Sequence, residues 1–140
     1  MTEPLRRLVA GRAHGCCEYC RSQASYAMQP FSVEHVVPRS RGGPSGAENL
    51  ALSCQGCNNH KYTKTEARDP VSGAVVPLFS PRAQRWSDHF AWNADASLVI
   101  GLTPTGRATV VALRLNREGL VNLRRVLFEN GSHPPPEVEH

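Results

Sequence analysis

Two C-x-x-C pairs, Cys17-Glu18-Tyr19-Cys20 and Cys54-Gln55-Gly56-Cys57, constrain this chain's fold more than any other feature. Each pair turns two thiolates toward the same side of a tight loop, and two such knuckles supply the ligands of a tetrahedral Zn²⁺ site. One pair alone would suit a redox motif; two favour a metal. The knuckles are separated by 33 residues, more than a compact zinc ribbon uses, so a folded element is expected between them. The fifth cysteine, Cys16, is left as a spare thiol. An odd cysteine count and the absence of an apolar leader after Met1 speak against a disulfide framework and for a cytoplasmic protein. No apolar run approaches the roughly 18 residues of a membrane span, so no membrane partner is expected.

Local patterns place elements around the knuckles. Residues 5–15 read as a short basic helix ending at Gly15. Residues 31–37 alternate apolar and polar, are rich in β-branched side chains and stop at Pro38, as a strand does. Residues 38–46 hold Gly, Pro and two arginines and form a loop; residues 48–53 are a second strand. A polar helix is expected from Asn58 to about Ala67, closed by Asp69-Pro70. Beyond it, residues 69–81 read as a surface loop. Residues 86–92 and 97–102 form a hairpin in which His89 and Trp92 pack. A helix capped by Thr105 runs through Leu115, and another covers residues 118–128. The division expected is 1–70, 71–132 and an extended tail at 133–140, whose end reads as the start of a tag.

Charge follows the same division. The formal net charge is +4, yet residues 1–68 carry nine basic and five acidic side chains, while residues 69–140 carry seven of each. The positive excess therefore lies beside the cysteines, which suits an acidic partner such as DNA, although a solvated face has the same composition.

Between the knuckles stand Glu34-His35 at a strand end, Asn49, then Asn58 and Lys61 on the following helix. With Val36-Val37-Pro38-Arg39-Ser40-Arg41-Gly42-Gly43, Asn49-Leu50 and Cys54-Gln55-Gly56-Cys57-Asn58-Asn59-His60-Lys61, the segment from residue 16 to 61 resembles the HNH endonucleases of ββα-metal type with flanking zinc knuckles. The resemblance implies divalent-metal-dependent hydrolysis of DNA phosphodiesters, one strand at a time. It implies His35 as general base, Glu34 and Asn58 as ligands of a Mg²⁺ or Mn²⁺, Asn49 as the residue that orients the His35 imidazole, and Cys17, Cys20, Cys54 and Cys57 around a structural zinc. The chemistry suits these roles: imidazole titrates near neutrality, and a carboxylate with an amide oxygen is a hard-cation donor set.

The segment departs from the family at Glu34, where many members have Asp, and at Asn58, which stands where the third His of the name would be. Neighbouring strand residues point to opposite faces, so Glu34 and His35 share a site only if the backbone bends at the strand end. Plainer roles stand beside these: an ion pair for Glu34, a helix cap for Asn58, solvated surface for Lys61. Arg39, Arg41, His60 and Lys61 are candidate DNA contacts. The expected class is α+β, a ββα-metal core stapled by a four-cysteine zinc site with a C-terminal hairpin-and-helix extension. A zinc module that binds nucleic acid or protein without catalysis is the alternative, and the oligomeric state stays open.

Overall fold

The computed structural model describes residues 1–137. The remainder of the tail expected at 133–140 lies outside the described residues. Helix α1 (Glu3–Arg12) begins where the Thr2 hydroxyl accepts a hydrogen bond from the Leu5 N–H at 3.3 Å, with Pro4 in the first turn. It ends earlier than expected, because His14 and Gly15 both adopt positive φ and turn the chain into the first knuckle. Val9 on its inner face and Ala13 at its C-cap pack with Leu50 and Leu52, forming a small core behind the central hairpin.

That hairpin consists of β1 (Ser32–His35) and β2 (Leu50–Ser53), antiparallel with Glu34 opposite Ala51 and His35 opposite Leu50. Its long connection runs through two single-turn 3₁₀ segments, Arg39–Arg41 and Ala47–Asn49. Helix α2 (Gln55–Lys61) starts inside the second knuckle, the Cys54 thiol capping it through the Cys57 N–H at 3.4 Å. The expected helix over 58–67 is corrected at both ends. α2 stops at Lys61 because Tyr62 turns the backbone to φ 49 and ψ −116.

Residues 69–81, expected as loop, instead contribute to a second hairpin. β3 (Glu66–Arg68) pairs with β4 (Val75–Pro77) around a turn in which Asp69 accepts from the Val71 and Ser72 N–H groups. Helix α3 (Trp86–His89) replaces the start of the first arm of the hairpin expected over residues 86–102, leaving β5 (Phe90–Trp92) to pair with β6 (Val99–Gly101). Helix α4 (Pro104–Ala112) is capped by Thr103, whose hydroxyl accepts from Gly106 N–H at 3.0 Å, rather than by Thr105. Helix α5 (Glu118–Glu129) lies where expected.

The two halves of the chain share one hydrophobic core. Tyr19 and the knuckle cysteines pack with Phe79, Trp86, Phe90, Val99, Leu113 and Leu115. Phe79 meets Tyr19 and Phe90 edge-on at ring separations of 6.4 and 5.2 Å. Polar anchors fix the same junction. Trp86 donates its indole N–H to the Tyr19 carbonyl at 2.8 Å. Glu18, buried in the first knuckle, accepts from Leu52 N–H at 2.8 Å and pairs with Arg82. A fork of two 2.9 Å bonds from Arg107 to Asp69 ties α4 to the end of β3. His89 and Trp92 both take part in this packing, His89 through a 2.6 Å bond to Thr103.

Candidate active site

The two knuckles bring Cys17, Cys20, Cys54 and Cys57 together, their sulfurs all within 4.8 Å of one another and all four residues buried. Zinc–sulfur bonds of about 2.3 Å at tetrahedral angles put ligand sulfurs roughly 3.8 Å apart. Cys20 and Cys54 lie 3.7 Å apart, close to that spacing, so the cluster could hold such an ion. Two neighbours complete its surroundings. Ser22 Oγ lies 3.1 Å from the Cys20 sulfur. Arg117, from the segment that leads into α5, donates to Cys54 and Cys57 at 3.5 and 3.6 Å. A methyl group at Gly56 would stand 2.6 Å from the Arg117 guanidinium, so the glycine lets that cation lie against the knuckle. Cys16 is outside the cluster; it is buried beside the His14 carbonyl, and burial pushes its thiol pKa up.

The second feature is a cleft of about 370 Å³ at the end of β1, lined by Glu34, His35, Arg39, Asn58 and Tyr62 among others. β1 alternation buries Glu34 and leaves His35 half-buried, and the bend beyond His35 lets both reach one cleft. The His35 Nε2 lies 3.0 Å from Ser45 Oγ. Burial lowers the imidazole pKa, and the charges of Arg39 and Lys61 lower it further, so the neutral ring dominates near neutral pH. Asn58 lies mid-helix in α2, not at its cap, and its side-chain amide has no hydrogen-bond partner among the described residues.

Glu34 is more firmly held than a surface ligand. Tyr19 Oη donates to one carboxylate oxygen, and Lys61 Nζ donates to the other at 3.2 Å. Burial raises the Glu34 pKa; the Lys61 charge and the Tyr19 hydrogen bond oppose that rise. Lys61 is only 2 % exposed and also donates to the Val36 carbonyl at 3.0 Å. Lys61 is therefore corrected from a DNA contact to the buried partner of Glu34, and its amphipathic stem allows the burial.

The expected hydrogen bond from Asn49 to the His35 ring is absent. The Asn49 amide instead clamps the loop: Oδ1 accepts from Val37 N–H at 2.9 Å, and Nδ2 donates to Val37 and Pro44 carbonyls at 3.0 and 2.9 Å. It therefore sets the loop that presents His35 and Ser45. Arg39 and Arg41 are exposed, the latter donating to the Thr63 carbonyl at 3.2 Å. His60 faces a different groove, with Arg114 and Arg117. Tyr19, Ser45, Tyr62 and Arg117 carry no spacing signal that singles them out. Tyr19 lies inside the first C-x-x-C, and Ser45 and Tyr62 lie just beyond quoted motifs without being part of them.

Glu34 retains a lone pair on each oxygen, Asn58 offers an unpartnered amide oxygen, and the cleft has room for several waters; this donor set fits a hard divalent cation. A ββ hairpin with a histidine at its strand end, followed by a helix and stapled by four cysteines, defines the ββα-metal class of site. Residues 17–64 match the family model described as HNH endonuclease. No curated protein and no solved structure matches the chain. Among the described residues no helix is long and apolar enough to cross a membrane.

Proposed function

We propose that the protein is a divalent-metal-dependent endonuclease that hydrolyses DNA phosphodiesters, nicking one strand at a time, with zinc in the four-cysteine cluster. The observation that supports this most is the convergence of His35, Glu34 and Asn58 on one cleft beside exposed arginines. His35 accepts the proton of the attacking water, a role suited to an imidazole held neutral at working pH. Ser45 steadies its ring, and Asn49 fixes the loop that carries Ser45. Arg39 attracts the phosphate backbone to the cleft mouth. Glu34 and Asn58 would hold a Mg²⁺ or Mn²⁺, which when bound supplies charge stabilisation at the phosphate and leaving oxygen.

One observation favours a binding module without catalysis: Tyr19 and Lys61 already engage both Glu34 oxygens. The same experiment separates the two readings. Zinc-loaded protein is incubated with supercoiled plasmid and Mg²⁺ or Mn²⁺. Nicked circles that require the cation and vanish in His35→Ala support the nuclease. Plasmid bound but left supercoiled by both proteins supports the module.

A further inference from the structure

Tyr62 is 77 % exposed at the rim of the cleft that holds His35 and Asn58. Its backbone adopts φ 49 and ψ −116, a conformation natural to glycine and rare for a side chain with a Cβ. The Tyr62 N–H bonds the Asn58 carbonyl at 3.0 Å, so this turn is tied to the helical turn that presents Asn58. The side chain adds little to the fold, since its ring is largely in solvent and its hydroxyl has no partner among the described residues. A large aromatic thus occupies a strained position where folding alone would prefer glycine. Strain of this kind concentrates at functional sites.

We propose that Tyr62 is a stacking platform for an unpaired base next to the scissile phosphate, which directs the enzyme to DNA with unpaired nucleotides rather than continuous duplex. The proposal rests on the nuclease reading and deepens it. Every base has a π-face, so an exposed ring beside a phosphate-binding arginine grips nucleotides without reading sequence. Arg39 lines the same cleft and supplies that cation. A base inside a duplex has both faces covered by its neighbours, so the ring finds a face only at a single strand, overhang, flap or mismatch. Tyr62 acts by positioning, and His35 remains the group that moves the proton.

The test uses the full chain with zinc bound. Binding of a labelled single-stranded oligonucleotide is followed by anisotropy in the His35→Ala background, with Tyr62, Tyr62→Phe and Tyr62→Gly; cleavage is followed in the His35 background. Tyr62→Gly is expected to melt no lower than the parent, to weaken single-strand binding by roughly 5- to 100-fold, and to raise KM more than it lowers kcat. Tyr62→Phe should keep most of the binding, and continuous duplex should lose much less than single strand. Undiminished binding in Tyr62→Gly would overturn the proposal, as would an equal loss on duplex or a lowered melting temperature. If Tyr62→Gly cleaves like the parent while His35→Ala is dead, the stacking role fails and the nuclease reading stands. If no His35-dependent cleavage occurs, the nuclease reading fails, and the role beside a scissile phosphate falls with it.

Discussion

Replacing Lys61 by methionine removes the cation that holds Glu34 while keeping most of the side-chain volume. Lys61 Nζ contacts Glu34 Oε2 at 3.2 Å, the Val36 carbonyl at 3.0 Å and the His35 carbonyl at 3.4 Å, and both partners of the ion pair are buried. Breaking a buried pair from one side costs about 3–5 kcal/mol, because the other charge is left uncompensated. Protonation of Glu34 limits the loss to the lower end, about 3 kcal/mol. An unfolding entropy of roughly 2.1 cal/mol/K per residue over 140 residues converts this to a Tm drop of about 10 °C.

The pH dependence has a defined sign. Burial holds the Glu34 carboxyl above its ordinary range, with Lys61 opposing the rise. Without Lys61 the folded pKa climbs further above the unfolded one. The folded state then binds the extra proton, so stability is greatest in acid and is lost as pH rises through the folded value. Lys61→Met should therefore lose more stability than the parent between pH 5 and pH 8. If Glu34 is a metal ligand, Mn²⁺ can take the place of the missing charge. A cation at 100 times its Kd adds about 2.7 kcal/mol, recovering most of the lost Tm. Calorimetric or dye-based melting of parent and variant, with and without Mn²⁺ and at several pH values, gives all three quantities. A drop below about 1 kcal/mol would refute the buried-pair reasoning, and a variant whose Tm ignores Mn²⁺ would refute ligation by Glu34.

Other perturbations have equally direct readouts. Arg117→Met should release the bound zinc to a chromogenic chelator roughly 10- to 100-fold more readily, since a guanidinium that donates to two ligand sulfurs is lost; unchanged release would contradict that role. Asn49→Ala leaves the Val37 N–H and two carbonyls without their partner and should cost about 1–3 kcal/mol in denaturant unfolding. It should also depress cleavage through the displaced loop. His133 donates to the Ala96 carbonyl at 2.9 Å and packs on Trp92, and burial lowers its pKa with the Arg124 charge acting the same way. Its stabilising share is present above the ordinary imidazole value and is lost as pH falls below about 6.5. His133→Gln keeps a donor without the titration and should flatten that acid limb in pH-dependent melting; an unchanged slope would assign the limb to another group.

The parts legible in the sequence are those written in short-range pattern. The C-x-x-C spacing foretells the cysteine cluster, and alternation with a proline stop foretells β1. What stays hidden depends on contacts between distant segments. Lys61 reads as a solvent-facing lysine one turn from Asn58, because nothing local reveals that Glu34, 27 residues earlier, lies buried under it. Asn49 lies at the expected position, but its amide prefers two loop carbonyls and an N–H to the neighbouring ring. The β3–β4 hairpin is masked by Pro70 and Gly73, which read as loop yet make the turn between two three-residue strands. Thr105 is the cap expected, yet Thr103 takes that place with Pro104 behind it, since proline suits the first turn of a helix.

The most direct test is single-turnover cleavage of an end-labelled oligonucleotide by zinc-loaded protein, comparing the parent with His35→Ala at saturating Mn²⁺ and with no added divalent cation. Loss of a general base typically lowers the rate about 10²- to 10⁴-fold. A fall of that size in His35→Ala, with cleavage by the parent strictly dependent on Mn²⁺ and zinc content equal in both proteins, is the expected result. Equal rates in the two proteins, or no cleavage by either, would contradict a metal-dependent nuclease built on His35.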